Sequence, residues 1–281
     1  MKITQHILAM SALAAVFLSL TGCPSGSVEG VVVDARSETL HGVAVTIEGI
    51  SAHGLTNSLG RYRLPCPAGP VTLSFAKTGY TSGRLELPGS HARSVQPPPV
   101  VLWPLPDAKG VHFFDHFRYA RTASAEPQPY LSPVSGTVYG TPHWSDVVTT
   151  NPEPMLVAFK LPARNVHMAR LELADVTPQN TSGKTAPIEV WTPAEDIPVS
   201  AKAISDPAQE SALFQIELPG PLRAGTYAVH WGSLQGDATL EPRLFYFSVV
   251  DAGQAISTAP AAATSNEDSE NAGQNPQKRK R

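Results

Sequence analysis

The sequence predicts an all-β protein built from two β-sandwiches. Proline and glycine are abundant, at 27 and 21 of the 281 residues, and the chain beyond residue 26 lacks long stretches of helical periodicity. Short apolar runs alternate with polar residues instead, and residues typical of turns separate these runs. A chain of this length has room for two domains that each bury a core of their own.

The first 22 residues have the three parts of a secretory signal. Lys2 supplies a positive charge, residues 7–18 are mostly apolar, and small residues follow. The apolar run is too short for a comfortable membrane-spanning helix. Residues 1–22 are therefore predicted to be a signal peptide, and residues 23–26 a short start ahead of the first strand.

The sequence Leu20-Thr21-Gly22-Cys23 resembles the lipobox of bacterial lipoproteins. The resemblance implies that Cys23 Sγ receives a diacylglyceryl group and that the new amino end is acylated, with palmitate as a label for such chains. In that family an aspartate after the cysteine favours the inner membrane, so Pro24 implies the outer membrane of a Gram-negative cell. Two or more acyl chains hold a protein firmly, because each buried CH₂ contributes about 0.8 kcal/mol.

Residues 27–103 are predicted to form the first sandwich. Turn residues such as Ser58-Leu59-Gly60 separate short runs in which alternate side chains share a face. The candidate strands are 27–34, 43–47, 61–64, 71–75, 82–87 and 100–103.

The order of glycines and aromatic residues in this region resembles the carboxypeptidase regulatory-like domain, a transthyretin-like β-sandwich. The resemblance rests on residues 30–34, 40–45, 56–62, Gly69 and 77–80. Leu40-His41 stands where the family usually has a proline, a departure confined to a turn. The resemblance implies an accessory module without catalytic residues of its own, and a fold by itself does not give a function.

The remaining chain is predicted to contain a linker, a second sandwich and a tail. Residues 104–133 are expected to be a linker that packs by its aromatic residues. Residues 134–251 alternate as strands, and 222–229 with 245–249 resemble the last two strands of an immunoglobulin-like sandwich. Residues 252–281 carry too few apolar side chains to offset the entropy of ordering, so a disordered tail is predicted there.

Charge and cysteine content exclude several classes of protein. A formal net charge of −3 argues against a nucleic-acid-binding surface. The chain has two cysteines, and lipidation of Cys23 leaves Cys66 without an intramolecular partner, which excludes a disulfide scaffold. Cys66 is interpreted as a small buried hydrophobe, with a reactive or intermolecularly paired thiol as the alternative.

Two sets of histidines are candidates for metal binding. His112 and His116 flank Asp115 in an order that resembles the His-x-x-Glu-His motif of inverted zinc proteases, although the surrounding residues do not predict a long helix. We expect aromatic packing with exposed imidazoles there. His143, His167 and His230 belong to the second sandwich, whose ending resembles periplasmic copper carriers, and His230 beside Trp231 is expected to point outward.

No nucleophile elbow, phosphate-binding loop, His-Glu-x-x-His or Cys-x-x-Cys motif occurs in the sequence. The prediction is therefore a non-catalytic, lipid-anchored envelope protein that needs no cofactor and binds or scaffolds protein or glycan partners. The alternative is a periplasmic metal-binding protein or hydrolase that uses His112, Asp115 and His116, or His143, His167 and His230.

Overall fold

The computed structural model describes residues 26–67, 69–88, 94–142, 147–179, 186–209, 211–232, 234 and 240–251. Within these ranges the chain forms strands and no helix, which confirms the predicted all-β class. It follows that no described helix is long and apolar enough to cross a membrane. The predicted signal peptide, Cys23 and the predicted tail lie outside the described residues.

The chain divides into two compact units. The first contains residues up to Val33 together with 39–76 and 84–100, and the second contains 34–38, 77–83 and the chain from Val101 onward.

Eight strands occur between Gly26 and Leu102. They are β1 (Gly26–Asp34), β2 (Ala44–Ile47), β3 (His53–Leu55), β4 (Arg61–Cys66), β5 (Val71–Ala76), β6 (Gly83–Leu87), β7 (Ser94–Val95) and β8 (Val100–Leu102).

Two sheets form the first unit. In one sheet β1 lies between β4, with which it pairs antiparallel, and β7, with which it pairs parallel. The other has the order β3-β2-β5-β6. The predicted alternation is clear in β4, where every second side chain is buried. Val28, Leu73 and Phe75 are fully buried, and the rings of Phe75 and Tyr62 meet edge to face at 5.5 Å.

A glycine closes the turn ahead of β4. The Asn57 side-chain oxygen accepts hydrogen bonds from the backbone N–H of Leu59 and Arg61. Gly60 has a φ of 66°, and a Cβ added there would lie 2.5 Å from the Val32 carbonyl oxygen. Both the left-handed backbone and the close approach of another strand require glycine at this position.

Thirteen further strands are described beyond Leu102. They are β9 (Gly110–Asp115), β10 (Arg118–Arg121), β11 (Ala123–Ala125), β12 (Gln128–Ser132), β13 (Gly136–Pro142), β14 (Thr149–Thr150), β15 (Leu156–Phe159), β16 (Val166–Pro178), β17 (Ile188–Ile197), β18 (Ser200–Ala203), β19 (Leu213–Glu217), β20 (Gly225–Trp231) and β21 (Leu244–Val249).

The second unit is also built from two sheets that share a core. One sheet has the order β10-β9-β15-β19-β18, and the other has the order β11-β21-β20-β16-β12-β13-β17, with β14 also paired to β21. Side chains from both sheets meet in one cluster, in which Phe113 and Phe214 from the first sheet pack with Trp231 and Phe247 from the second. The rings of Phe113 and Phe247 lie 5.3 Å apart, edge to face.

The segment 104–133, for which the sequence predicts a linker, contains β9 to β12. Five consecutive residues of β9, from Gly110 to Phe114, are buried. Val111 and Phe113 face the shared core, whereas Phe114 packs on the opposite side of the sheet with Trp103 and Tyr119. A strand that is buried on both faces lacks the alternation of apolar and polar residues by which strands are recognised. The sequence of β9 therefore does not predict a strand.

Candidate binding site in the second unit

His112 and His116 lie in a β-hairpin and have opposite environments. His112 is buried, and one ring nitrogen, Nε2, lies 2.8 Å from the Ala108 carbonyl oxygen. Burial lowers the pKa of His112, an effect that the Ala108 hydrogen bond partly opposes. The His116 side chain is 92% exposed, and its Nδ1 lies 2.9 Å from Asp115 Oδ2. The expected exposure of both imidazoles is therefore wrong for His112. Its ring is buried and meets the Tyr119 ring edge to face, with centroids 5.9 Å apart.

His167 and His230 face each other across the β16–β20 pair. Their rings are stacked, with centroids 5.4 Å apart and planes 18° apart. His230 is buried rather than outward-facing as predicted, because its strand, β20, is covered on both faces.

The environment of His230 keeps its ring neutral. Nδ1 donates a hydrogen bond to the Gly232 carbonyl oxygen at 3.0 Å, so Nε2 carries the lone pair. Nε2 is buried and has no hydrogen-bond partner among the described residues. Burial and the neighbouring His167 lower the pKa of His230 to about 4, against the opposing effect of the Gly232 hydrogen bond.

The predicted histidine sets do not assemble into a metal site in the part of the chain that the structure describes. No group of three or more histidine, cysteine, aspartate or glutamate residues is placed there to hold an ion. His143 lies outside the described residues. The pair of His167 and His230 supplies two adjacent imidazoles, fewer than the three protein ligands of a typical catalytic zinc site.

Cys66 is buried at the end of β4, as the favoured interpretation of this residue predicts. Burial raises the pKa of its thiol, and Sγ lies 3.5 Å from the Pro67 carbonyl oxygen. A thiol that is buried and protonated is a poor nucleophile.

A cleft of about 560 Å³ opens beside the β9–β10 hairpin. Its volume lies in the range typical of ligand sites, and it combines aromatic walls with a few polar groups. We call it the aromatic cleft. It is lined by Phe113, Phe114, Asp115, His116, Arg118, Tyr119, Ala120, Thr149, Thr150, Asn151, Glu153, Pro154 and Met155.

The hairpin that borders this cleft has an unusual turn. His116 and Phe117 have φ values of 44° and 61°, a left-handed conformation that two-residue hairpins usually assign to asparagine and glycine. Phe117 remains 39% exposed, beneath the Arg36 guanidinium at 4.8 Å. Such conformations in residues other than glycine are costly and cluster at functional sites.

The sequence marks this region only in part. The aromatic residues from 113 to 119 are visible, but the opposite wall comes from residues 149–155. The antiparallel pairing of β9 with β15, in which Phe113 lies opposite Leu156, brings the two segments together. No local pattern in the sequence predicts this pairing.

Comparison with protein families identifies one domain. Residues 27–95 match the model of the carboxypeptidase regulatory-like domain, which supports the resemblance that the glycine and aromatic positions predict. The comparison with curated proteins finds no match.

Solved structures with partial similarity are distant. A cohesin–X–dockerin complex from Acetivibrio cellulolyticus is 19% identical over 28% of this chain and 58% of its own, with a TM-score of 0.26. This chain therefore spans less than two thirds of that chain's length. BcpA, the major pilin subunit of Bacillus cereus, is 10% identical over 80% of this chain and 69% of its own, with a TM-score of 0.25. Similarity at this level transfers no function.

Proposed function

We propose that this chain is a lipid-anchored envelope protein that binds a partner without catalysing a reaction. The observation that carries the binding role is the aromatic cleft, because it joins the rings of Phe114 and Tyr119 with the exposed polar side chains of Asp115 and His116 in one site. The sequence supports binding over catalysis, since it contains no nucleophile elbow, phosphate-binding loop, His-Glu-x-x-His or Cys-x-x-Cys motif.

The anchoring role rests on the sequence around Cys23. β1 begins at Gly26, three residues after this cysteine. Three extended residues span about 10 Å, so acylation of Cys23 would hold the start of the first sandwich close to the lipid surface. The outer membrane is the proposed location because Pro24, rather than aspartate, follows the cysteine.

Labelling with palmitate tests the anchor. The wild-type chain should incorporate the label, whereas Cys23→Ser should not and should accumulate as an uncleaved precursor. Cys66→Ser is the matched control, because it removes the other cysteine and should leave labelling intact. Palmitate incorporation into Cys23→Ser would contradict lipidation at this residue.

Affinity capture from the cell envelope tests the binding role. A Phe117→Ser, Tyr119→Ser variant removes two aromatic side chains at the hairpin and should capture less of the partner than wild type. Elemental analysis of the purified chain addresses the alternative function. Stoichiometric zinc or copper would favour a metal-binding protein that uses the histidines instead.

A further inference from the structure

We propose that β10 accepts an extended acidic segment of a partner protein as an added strand beside the aromatic cleft. This inference deepens the proposed binding function and rests on it, but it is independent of lipidation at Cys23. It follows from the backbone, the cleft and the charges of this edge.

The backbone of β10 has one side available for pairing. β10 ends its sheet, and among the described residues β9 is its only neighbouring strand. The Thr122 N–H donates to the Val111 carbonyl oxygen, just beyond the register that pairs Ala120 with Phe113. Antiparallel strands alternate the direction of these groups. The backbone N–H and C=O groups of Tyr119 and Arg121 therefore point away from β9, as strand addition requires.

β10 also borders the aromatic cleft, through Arg118, Tyr119 and Ala120. The other walls come from β9 and from residues 149–155. Successive side chains of an extended segment point to opposite faces. One set would lie beside Ala120 and the other beside Tyr119, since β10 separates the added strand from β9. Apolar β-branched side chains suit both positions, since they pack well across a strand pair.

The arginines of β10 favour an acidic residue at each end of the added partner strand. Arg118 and Arg121 are exposed, and neither forms a salt bridge with a carboxylate among the described residues. Asp115 lies opposite Arg118 on β9, but its Oδ2 is paired with His116 Nδ1 at 2.9 Å. Two acidic residues separated by two apolar residues would place opposite charges across from Arg118 and Arg121. Glu-Val-Val-Glu is the simplest such sequence.

A second copy of this chain would bring no carboxylate to the two arginines. Because the backbone groups of Tyr119 and Arg121 face outward, symmetric antiparallel pairing of two β10 strands about Ala120 places Arg121 opposite Tyr119 and Arg118 opposite Thr122. The edge is therefore better suited to a different chain of opposite charge.

A charge-swap experiment tests the proposal. The purified full-length chain in detergent is titrated into a fluorescein-labelled peptide, acetyl-Thr-Glu-Val-Val-Glu-Thr-amide, and anisotropy is recorded. A matching peptide has lysine in place of both glutamates. Wild type should bind the acidic peptide at least tenfold more tightly than the basic one. The double variant Arg118→Glu, Arg121→Glu should reverse this preference, and the binding regained with the basic peptide shows that the variant is folded.

Arg164→Glu is the matched control, because it reverses the charge of another exposed arginine in the second unit. It should retain the wild-type preference. Equal affinity for both peptides in wild type, or an unchanged preference in the double variant, would overturn the proposal. Deletion of residues 252–281 should leave the affinity unchanged, whereas a tenfold increase would identify this segment, which contains Glu267, Asp268 and Glu270, as the occupant instead.

Hydrogen exchange distinguishes strand addition from simple charge attraction. Saturating acidic peptide should slow exchange of the Tyr119 and Arg121 amides, while the already paired Thr122 amide serves as an internal reference. Peptide binding without protection of Tyr119 and Arg121 would overturn strand addition. Failure of this peptide to bind would overturn strand addition by an acidic segment. It would not overturn the proposed binding function, which the envelope capture experiment tests separately.

Discussion

The two units bury different kinds of side chain. Among the described residues of the first unit, one polar or charged residue, Thr56, is buried. Its hydroxyl donates to the Leu40 carbonyl oxygen and accepts from the Val43 N–H. The second unit buries His112, His230 and Glu241. Burial raises the pKa values of Cys66 and Tyr62 in the first unit, so these two groups are protonated at neutral pH and below. Since titratable groups inside a fold link its stability to pH, the response to mild acid is expected in the second unit.

Truncating one core aromatic residue in each unit gives the largest expected effect. Phe75→Ala and Trp231→Ala should each cost about 3–5 kcal/mol of unfolding free energy, because both side chains are fully buried. If the units fold independently, calorimetry will show that each variant lowers a different transition. Leu59→Ala is a control, since Leu59 is 59% exposed. A single transition lowered equally by both variants would contradict independent folding.

The sequence predicts the first unit better than the second, and the reason is physical. Residues 61–66 alternate strictly and follow a turn that Asn57 and Gly60 define locally. In the second unit, β9 and β20 are covered on both faces, so the exposure of His112 and His230 could not be read from alternation. The aromatic cleft depends on pairing between segments about 40 residues apart, and such register is set by tertiary contacts rather than by local propensity.

Neutralising the buried carboxylate should have the next largest effect. Glu241 lies 2.7 Å from Lys109 Nζ and 2.5 Å from Arg243 Nε. Burial raises the pKa of Glu241, but hydrogen bonds from Arg243 and Lys109 outweigh this effect and lower it overall. Glu241→Gln should cost about 2–3 kcal/mol, somewhat less than the loss of a fully buried pair, because both cations are partly exposed. Denaturant unfolding of the second unit measures this loss, and an unchanged midpoint would contradict it.

Mild acid should destabilise the second unit through His230. Its folded pKa of about 4 lies below the 6.5 expected when unfolded, so the unfolded chain binds a proton first as pH falls. The stability that neutral His230 contributes is complete above pH 7 and declines between pH 6.5 and 4. The unfolding free energy should fall by about 2 kcal/mol between pH 7 and 5. His230→Gln should make the stability profile less steep in this window, while buried His112, whose pKa is also lowered, still contributes. His116→Gln, at an exposed histidine, should preserve the wild-type slope, and an equally steep profile for His230→Gln would count against this assignment.

The smallest expected effect concerns an exposed ion pair in the first unit. Arg63 Nε lies 3.2 Å from Glu29 Oε1, with the two side chains 74% and 33% exposed. Water and salt screen such a pair, and holding two long side chains together costs entropy, so it contributes little. Glu29→Gln should change the unfolding free energy by no more than about 0.5 kcal/mol, and the change should vanish in 1 M NaCl. A loss as large as that from Glu241→Gln would show that buried charge does not distinguish the two units.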